Sequence, residues 1–275
     1  MIVGILLLCA ALLALLYLYL ILPRVKGGAD LELLRCPYAH RGLWNDQIPE
    51  NSLPAFAHAM RRGYGIELDV QRTGDGCVVV FHDDSLKRLC GVDRTVGDLT
   101  LAQLRSLRLG QSDQSIPTLK EVLALVRGRV PLMIELKGER PDPILCQALT
   151  ELLDGYAGPF SVISFSPLIL GWFKKYRPSY ARGQLVTKIT KHVRRGSRPV
   201  NFLLSNLLLN CVSRPDFLSI NGHNRHRLSF LICTRLFHTL GFVWTIRSKQ
   251  EALLARKAGL FPIFEKILPP KGVSS

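Results

Sequence analysis

Beyond Arg35 the chain alternates short apolar runs with segments whose apolar residues recur at helical spacing. The runs predict β-strands at 37–40, 65–70, 77–82, 132–136, 161–165, 183–186, 217–220, 242–246 and 260–264. Strands that alternate with helices favour an α/β fold with parallel pairing. The runs outnumber by one the eight strands of a TIM-type (β/α)8 barrel. Because Gln-Arg-Thr-Gly-Asp-Gly between 70 and 77 is a hairpin signal, we expect 77–82 to be an accessory strand or an irregular part of the second unit.

Helix start signals fall between these runs. Asn51 precedes a periodic stretch that reaches Arg62, so it is the expected N-cap, with Gly63 as the stop signal. Further helices are expected over 101–107 after Thr100, 119–126 after Thr118, 167–176 from Pro167 and 249–258 after Ser248. Glu121, three residues after Thr118, gives that helix a capping-box pattern.

The first 22 residues, Met1 to Leu22, carry no charged side chain. As a helix they extend about 33 Å, enough to cross the hydrocarbon core of a bilayer. A cleaved signal peptide is the competing interpretation. A retained anchor is favoured because no Lys or Arg precedes the run, the run exceeds a usual signal-peptide core, and no small-x-small site follows. We therefore divide the chain into a transmembrane anchor (1–23), a linker (24–34) and a barrel domain (35–270).

Charges beside the span predict its orientation. Arg24 and Lys26 follow it and only the α-amino group precedes it, so the positive-inside rule favours a single-pass membrane protein with a cytoplasmic barrel domain. The cysteines outside the span lack CxxC pairs and close Cys/His clusters. Such scattered thiols are typical of packing residues in a reducing compartment.

The formal net charge is +15, from 36 Lys and Arg residues against 21 Asp and Glu residues. Nucleic acid, an anionic membrane and a phosphate-bearing substrate can each explain such an excess. The sequence shows no nucleic-acid-binding module and no aromatic residues interleaved with the basic ones, so we expect no nucleic-acid partner. Beside an anchor, the lipid bilayer is the simpler partner.

One basic cluster departs from the rhythm of a barrel. Its members are Lys188, Lys191, Arg194, Arg195 and Arg198, and the apolar stretch 202–209 follows. A barrel helix after a solvated loop explains this pattern, and so does a second membrane contact with the cations at the headgroups. The first is favoured because ordinary barrel helices are also apolar on one side.

Acidic residues at strand positions suggest a metal site. Glu67 and Asp69 lie two positions apart on one strand, so their carboxylates project from one face. With Glu135 from another strand, three oxygen donors can hold a divalent metal ion such as Mg²⁺ or Ca²⁺. The alternative is a set of barrel-interior charges paired with Arg or Lys, since neighbouring carboxylates repel unless a cation or proton separates them.

His40 and His82 each end a candidate strand. A barrel gathers the carboxyl ends of its strands at one mouth, where active sites lie. An imidazole takes and gives protons near neutral pH, as general acid–base catalysis requires. A lone His is more often structural, but two at strand ends favour catalysis. Arg41 adds a planar fork suited to phosphate oxygens.

A set of short motifs follows in a fixed order along the chain. They are His40-Arg41-Gly42, Pro49-Glu50-Asn51-Ser52, Glu67-Leu68-Asp69-Val70, Asp75-Gly76, Val79-Val80-Phe81-His82-Asp83, Ile116-Pro117-Thr118-Leu119 and Ile134-Glu135-Leu136-Lys137. Together they resemble the glycerophosphodiester phosphodiesterase family in its bacterial form, and Val243-Trp244-Thr245-Ile246 looks like that family's late strand.

The resemblance implies a TIM-type barrel and a role for each matching residue. Glu67, Asp69 and Glu135 would be the metal ligands, and His40 and His82 the general acid and base. The remaining implied roles are a phosphate contact for Arg41, assistance at the metal or phosphate for Asn51 and Lys137, and a place in the pocket wall for Trp244.

Parts of the chain depart from the family pattern. Ser52 stands where Thr is usual. Residues 259–265 replace a Gly-Val-Asp-Gly stretch that leads to Thr-Asp, which puts the last strand and substrate selection in doubt. Residues 187–210 carry no motif of the family.

The implied reaction is metal-dependent hydrolysis of glycerophosphodiesters to glycerol 3-phosphate and an alcohol, at the membrane. One imidazole would deprotonate the attacking oxygen and the other would protonate the leaving alcohol, in an order that the sequence leaves open. A lysophospholipase D-like enzyme acting on membrane lipids is the nearest alternative. A catalytically inactive, membrane-anchored binding module and a nucleic-acid-binding protein are the others.

Overall fold

The computed structural model describes residues 1–25, 30–187 and 197–270. These residues contain a nine-stranded sheet. Its strands are β1 (Tyr38–His40), β2 (Gly65–Arg72), β3 (Val78–Val80), β4 (Leu132–Leu136), β5 (Phe160–Ser164), β6 (Ala181–Val186), β7 (Phe217–Asn221), β8 (Leu240–Ile246) and β9 (Phe261–Phe264). Each overlaps one of the runs expected from the sequence.

The sheet closes on itself. Its order is β1-β9-β8-β7-β6-β5-β4-β2-β3, and β1 also pairs with β2. All strands of the ring pair in parallel, whereas β3 pairs antiparallel with β2 through the Gly-Asp-Gly turn. The TIM-type barrel is therefore confirmed, and β3 is the accessory strand.

Except for the amino-terminal one, the helices pack around this ring. They are α1 (Ile2–Ile21), α2 (Leu53–Arg61), α3 (Lys87–Cys90), α4 (Leu101–Arg105), α5 (Leu119–Val126), α6 (Pro143–Leu153), α7 (Pro167–Tyr176), α8 (Arg198–Ser205), α9 (Asn210–Ser213), α10 (Leu228–Leu231) and α11 (Lys249–Lys257). The starts expected at Thr100, Thr118, Pro167 and Ser248 are confirmed, and Thr118 with Glu121 forms the expected capping box.

The start of α2 differs from the prediction by one residue. Ser52, in an extended conformation, is the N-cap, and its hydroxyl accepts from the Ala55 amide at 3.3 Å. Asn51 has a φ of 53°, whereas an N-cap requires extended backbone. Its side chain therefore turns away from the helix, towards Asp69.

An apolar cluster fills the inside of the ring, with side chains such as Met133, Phe217 and Phe242. Leu34, just before β1, joins it, and Tyr38 donates from its hydroxyl to the Leu34 carbonyl at 3.2 Å. The amino-terminal end of the ring is thus packed with apolar groups, which leaves the carboxyl ends of the strands for polar chemistry.

The last turn of α1 packs against the barrel, and the rest projects from it. Ile21 is fully buried, and its carbonyl accepts from Asn210 Nδ2 at 2.8 Å. Arg214 donates from Nη1 to the carbonyls of Leu22 at 2.7 Å and Tyr19 at 3.0 Å, which satisfies the carboxyl end of the helix. As a whole, α1 is long and apolar enough to cross a membrane, and its apolar 18-residue stretch is not buried.

Parts of the sequence predictions fall on residues outside the described ranges. These are Lys26 in the linker and Lys188, Lys191, Arg194 and Arg195 in the basic cluster. Arg198 begins α8, on which the Phe202 side chain is 62% exposed. Both interpretations of this segment therefore remain predictions.

Candidate active site

Three carboxylates meet at the carboxyl ends of β2 and β4. Asp69 and Glu135 face each other as partners in the parallel register of these strands, and Glu67 precedes Asp69 on the same face of β2. All three are buried, and their ligand oxygens lie within 4.8 Å of one another. The predicted cluster is thus assembled by strand pairing.

Burial and neighbouring charges shift the pKa values of Glu67 and Asp69 in opposite directions. Desolvation raises the pKa of Glu67 to about 8, and the charges of Asp69 and Glu135 add to that rise while His40 opposes it. Burial also acts to raise the pKa of Asp69, but Lys137, His82 and Arg41 outweigh it and lower this pKa to about 2. Glu67 therefore favours a proton unless another positive charge is close.

Part of the required positive charge comes from the protein. Lys137 Nζ lies 3.1 Å from Asp69 Oδ1 and 3.8 Å from Glu135 Oε1. Arg41 Nε lies 3.8 Å from Asp69 Oδ2, but its Nη1 donates to Glu50 at 2.8 Å. Asp69 is thus paired with Lys137 and Arg41, as the interpretation of the trio as interior charges predicts, and Lys137 also lies beside Glu135.

The donor set fits a hard divalent cation. Such ions prefer carboxylate and carbonyl oxygens, and three converging carboxylates supply them. Asn51 donates from Nδ2 to Asp69 Oδ2 at 2.9 Å, while its Oδ1 is buried without a hydrogen-bond partner among the described residues. An amide oxygen without a hydrogen-bond partner beside a carboxylate cluster can serve as a further ligand for a cation.

The two imidazoles present similar contacts. His40 Nδ1 lies 2.5 Å from Glu265 Oε1, and His82 Nδ1 lies 2.7 Å from Asp83 Oδ1. An ionised carboxylate only accepts, so each Nδ1 carries the hydrogen and donates it. Each Nε2 is therefore the nitrogen available for chemistry, and that of His40 lies 3.9 Å from Glu67.

The surroundings of the imidazoles differ. Burial acts to lower the pKa of His40, but the charge of Glu67 and the hydrogen bond to Glu265 outweigh it and raise this pKa. Burial lowers the pKa of His82, the charge of Lys137 acts in the same direction, and Asp69 opposes both. Two imidazoles with displaced proton affinities suit an acid and a base.

Arg41 is held between the carboxylates by its backbone as well as its side chain. Its φ is 59°, and its amide donates to Glu67 Oε2 at 3.0 Å. Asn51, also left-handed, donates from its amide to the Arg41 carbonyl at 2.9 Å. This strained pair of loop residues sits at the cluster, as strained backbone often does at functional sites.

The structure adds residues to which the sequence assigned no role. Arg88 donates to Asp83 at 2.5 Å and to Glu50 at 2.7 Å. It therefore connects the carboxylate that bonds His82 with the carboxylate that bonds Arg41. Arg247 donates to Glu265 Oε2 at 2.9 Å. Glu50 lies inside a recognised motif, but Arg88, Arg247 and Glu265 carry no local sequence signal.

A cavity of about 800 Å³ opens above these groups at the mouth of the barrel. Its lining includes His40, Arg41, Glu67, His82, Glu135, Lys137 and Trp244. Trp244 packs edge-on against Phe165 with ring centroids 5.6 Å apart and donates to the Ser219 carbonyl at 3.1 Å. Every site residue expected from the sequence thus lines this cavity or, for Asp69 and Asn51, lies buried directly beneath it.

Together, the fold and the site define a barrel hydrolase in which paired imidazoles lie beside a carboxylate cluster that can hold a cation, an arrangement suited to an anionic substrate. Residues 40–265 match the glycerophosphoryl diester phosphodiesterase family, and the chain belongs to this family of metal-dependent phosphodiester hydrolases.

Known proteins of this kind resemble the chain along most of the barrel. YhdW of Bacillus subtilis (strain 168), which bears the name of a glycerophosphodiester phosphodiesterase, is 27% identical over 231 residues, or 81% of this chain and 90% of YhdW. A glycerophosphodiester phosphodiesterase of Bacillus altitudinis is 40% identical over 110 residues, which span 36% of this chain and 43% of that enzyme. A phosphodiesterase of Oleispira antarctica, solved in complex with the product sn-glycerol-3-phosphate, has a TM-score of 0.68 at 28% identity, covering 83% of this chain and 91% of that one.

Proposed function

We propose that the cavity at the barrel mouth hydrolyses glycerophosphodiesters to glycerol 3-phosphate and an alcohol, with His40 and His82 as acid and base. The observation that carries this proposal is the meeting of two Nδ1-bonded imidazoles with a buried carboxylate trio in one cavity. The complex of the Oleispira antarctica relative with glycerol 3-phosphate supports the same product.

Glu67, Asp69 and Glu135 are the proposed ligands of a divalent ion, for which Mg²⁺ and Ca²⁺ both suit oxygen donors. When bound, the ion supplies positive charge that offsets the charge of the phosphodiester. Asn51 holds Asp69 in place through its amide, and Lys137 balances the charge of Asp69 and Glu135. Both residues thus assist at the metal and phosphate.

Protons move at the two Nε2 atoms. One imidazole accepts the proton of the attacking oxygen, which belongs to water or to the neighbouring glycerol hydroxyl. If the hydroxyl attacks, a cyclic glycerol phosphate forms first, and a water then opens it to glycerol 3-phosphate. A bond forms from the attacking oxygen to phosphorus, and the bond from phosphorus to the leaving oxygen breaks. The other imidazole gives its proton to the leaving alcohol, so the charges balance over the cycle.

Arg41 and Trp244 complete the substrate site. The Arg41 guanidinium lines the cavity and is oriented by Glu50, so it can donate to the phosphate oxygens. Trp244 adds an apolar face to the lining, where the carbon skeleton of a substrate can pack.

We further propose that the enzyme is a single-pass membrane protein with a cytoplasmic catalytic domain and no nucleic-acid partner. The division into anchor (1–23), linker (24–34) and barrel (35–270) is part of this proposal. It is supported by the exposed apolar length of α1 and by Arg24, which follows the span on the barrel side. Docking of the last turn of α1 would hold the barrel close to the lipid bilayer.

The apolar part of the cavity also admits a second substrate class. Trp44, Phe165, Leu185 and Trp244 line it beside the charged groups. A lysophospholipid carries the same glycerophosphodiester group with an acyl chain, which such a wall can contact. Lysophospholipase D-like hydrolysis is therefore the second candidate activity.

A substrate panel tests both activities. Purified full-length protein in detergent is assayed with glycerophosphocholine, glycerophosphoethanolamine and lysophosphatidylcholine, with EDTA and with Mg²⁺ or Ca²⁺ added back. We expect release of glycerol 3-phosphate from the first two that stops with EDTA and returns with metal. Hydrolysis of the lysophospholipid alone would replace the first activity with the second. No turnover of any of them by folded, metal-loaded protein would refute the proposal and favour an inactive binding module.

A further inference from the structure

The residue that follows the last barrel strand lies beside His40. β1 and β9 pair in parallel, with Ala39 opposite Phe264. The residues that come next along the chain, His40 and Glu265, therefore lie side by side. Their hydrogen bond joins residues 225 positions apart in the sequence. Closure of the barrel therefore creates this contact.

Glu265 is itself held from two directions. Arg247, which directly follows β8, donates from Nε and approaches with Nη2, each 2.9 Å from Glu265 Oε2. The Glu265 amide donates to the Ile246 carbonyl at 3.0 Å. With Oε2 engaged by Arg247, Oε1 is the oxygen left to accept from His40.

The same arrangement occurs at the other imidazole. Arg88 donates to Asp83, and Asp83 accepts from His82 Nδ1. Each imidazole thus stands at the end of an arginine–carboxylate–histidine series. The first series joins the ends of β1, β8 and β9, whereas the second lies on the segment from the end of β3 to α3. In each, the carboxylate bonds Nδ1 and leaves Nε2 for the chemistry.

We propose that Glu265 is a positioning residue for the hydrolysis: it fixes the tautomer and the ring orientation of His40, with Arg247 fixing Glu265 in turn. This rests on the proposed role of His40. A carboxylate that accepts from Nδ1 keeps the hydrogen there and leaves Nε2 as the nitrogen that exchanges a proton with the substrate. Glu265 thus acts through His40, although it lies in the segment where the family pattern is broken.

The central experiment is a double-mutant cycle on kcat. Glu265→Gln keeps the shape of the side chain, but an amide can donate as well as accept and so admits the wrong tautomer. We expect kcat for glycerophosphocholine to fall about 10- to 100-fold while KM changes little. Glu151→Gln, the same chemical change at an exposed helix position, is the matched control and should leave kcat unchanged.

The cycle pairs Glu265→Gln with His40→Ala. If Glu265 acts through the imidazole, the double variant has the kcat of His40→Ala alone, because the group that Glu265 positions is already gone. If the two losses multiply, Glu265 acts elsewhere and the proposal is wrong. Full activity of Glu265→Gln would also overturn it. Full activity of His40→Ala would instead refute the proposed function, so the two failures are distinguishable.

Nitrogen-15 NMR of labelled histidine provides a readout that a merely structural role would not move. At a pH where the imidazole is neutral, wild-type His40 should carry its hydrogen on Nδ1, and Glu265→Gln should shift it wholly or partly to Nε2. An unchanged tautomer in a folded Glu265→Gln protein would contradict the proposal. Arg247→Ala, which keeps the carboxylate, should cause a smaller shift in the same direction.

Discussion

Asp69 and Glu135 are register partners on β2 and β4, and their carboxylate oxygens lie within 4.8 Å of those of Glu67. Three buried acidic groups this close destabilise a metal-free protein, because their negative charges repel in a poorly solvated place. A cation or the loss of one charge relieves that repulsion.

Neutralising one member should therefore separate stability from function. We expect Glu67→Gln to leave the metal-free melting temperature unchanged or higher, while it abolishes the rise that Mg²⁺ or Ca²⁺ gives the wild type. Hydrolysis should fall at least about 10²-fold. Calorimetric metal titration and thermal unfolding measure both. A metal affinity equal to that of the wild type would show that Glu67 is not a ligand.

The leaving group should reveal which imidazole is the acid. A 4-nitrophenyl phosphodiester releases a phenolate that needs no proton, so loss of the general acid costs little with it. With glycerophosphocholine, His40→Ala and His82→Ala should each lose at least about 10²-fold in kcat.

With the nitrophenyl substrate, one of these variants should recover most of its rate and the other should not. Metal binding by both serves as the control for intact ligands. If both recover equally, neither imidazole is the acid for the alcohol. If neither loses activity on the natural-type substrate, the assignment of the pair is wrong.

Adjacent substitutions at Asn51 and Ser52 should have opposite consequences. Ser52→Ala removes the N-cap of α2 and should cost about 1 kcal/mol, or about 2–4 °C in Tm, with kcat retained. Asn51→Ala removes the amide that holds Asp69 and should lower metal affinity and kcat. Asn51→Gly is the partner variant that keeps the left-handed backbone accessible. If Ser52→Ala had the larger effect on kcat, the roles would be reversed.

Membrane orientation can be tested on the full chain. A fluorescent protein fused after Ser275 should fold and fluoresce when the barrel is cytoplasmic, and an alkaline phosphatase fused there should be inactive. The positive charge can be moved to the amino-terminal side of α1 by changing Arg24 to Gln and inserting two Lys after Met1. This change should reverse both signals in part of the molecules. An active phosphatase fusion to the unaltered chain would contradict the proposed cytoplasmic site.

Much of the fold followed from local sequence patterns, because those patterns act over a few residues. Short apolar runs located the strands, and local start signals located the beginnings of α4, α5, α7 and α11. α6 was not expected, although Asp142 followed by Pro143 is a start signal, and its Asp142 carboxylate does accept from the Ile144 amide. Asn51 and Ser52 are both good capping residues, so composition alone could not choose between them. The backbone conformation of the two residues decided which of them caps α2.

The sequence by itself determined which ionisable groups stand at strand ends and, through their fixed spacing, which share a face of β2. It also determined the apolar length of α1. Only the tertiary structure decided which distant groups touch: Glu265 with His40, Arg247 with Glu265, and Arg88 with Glu50. The physical reason is that these contacts depend on strand register and ring closure, which bring distant residues together and leave no trace in the local pattern.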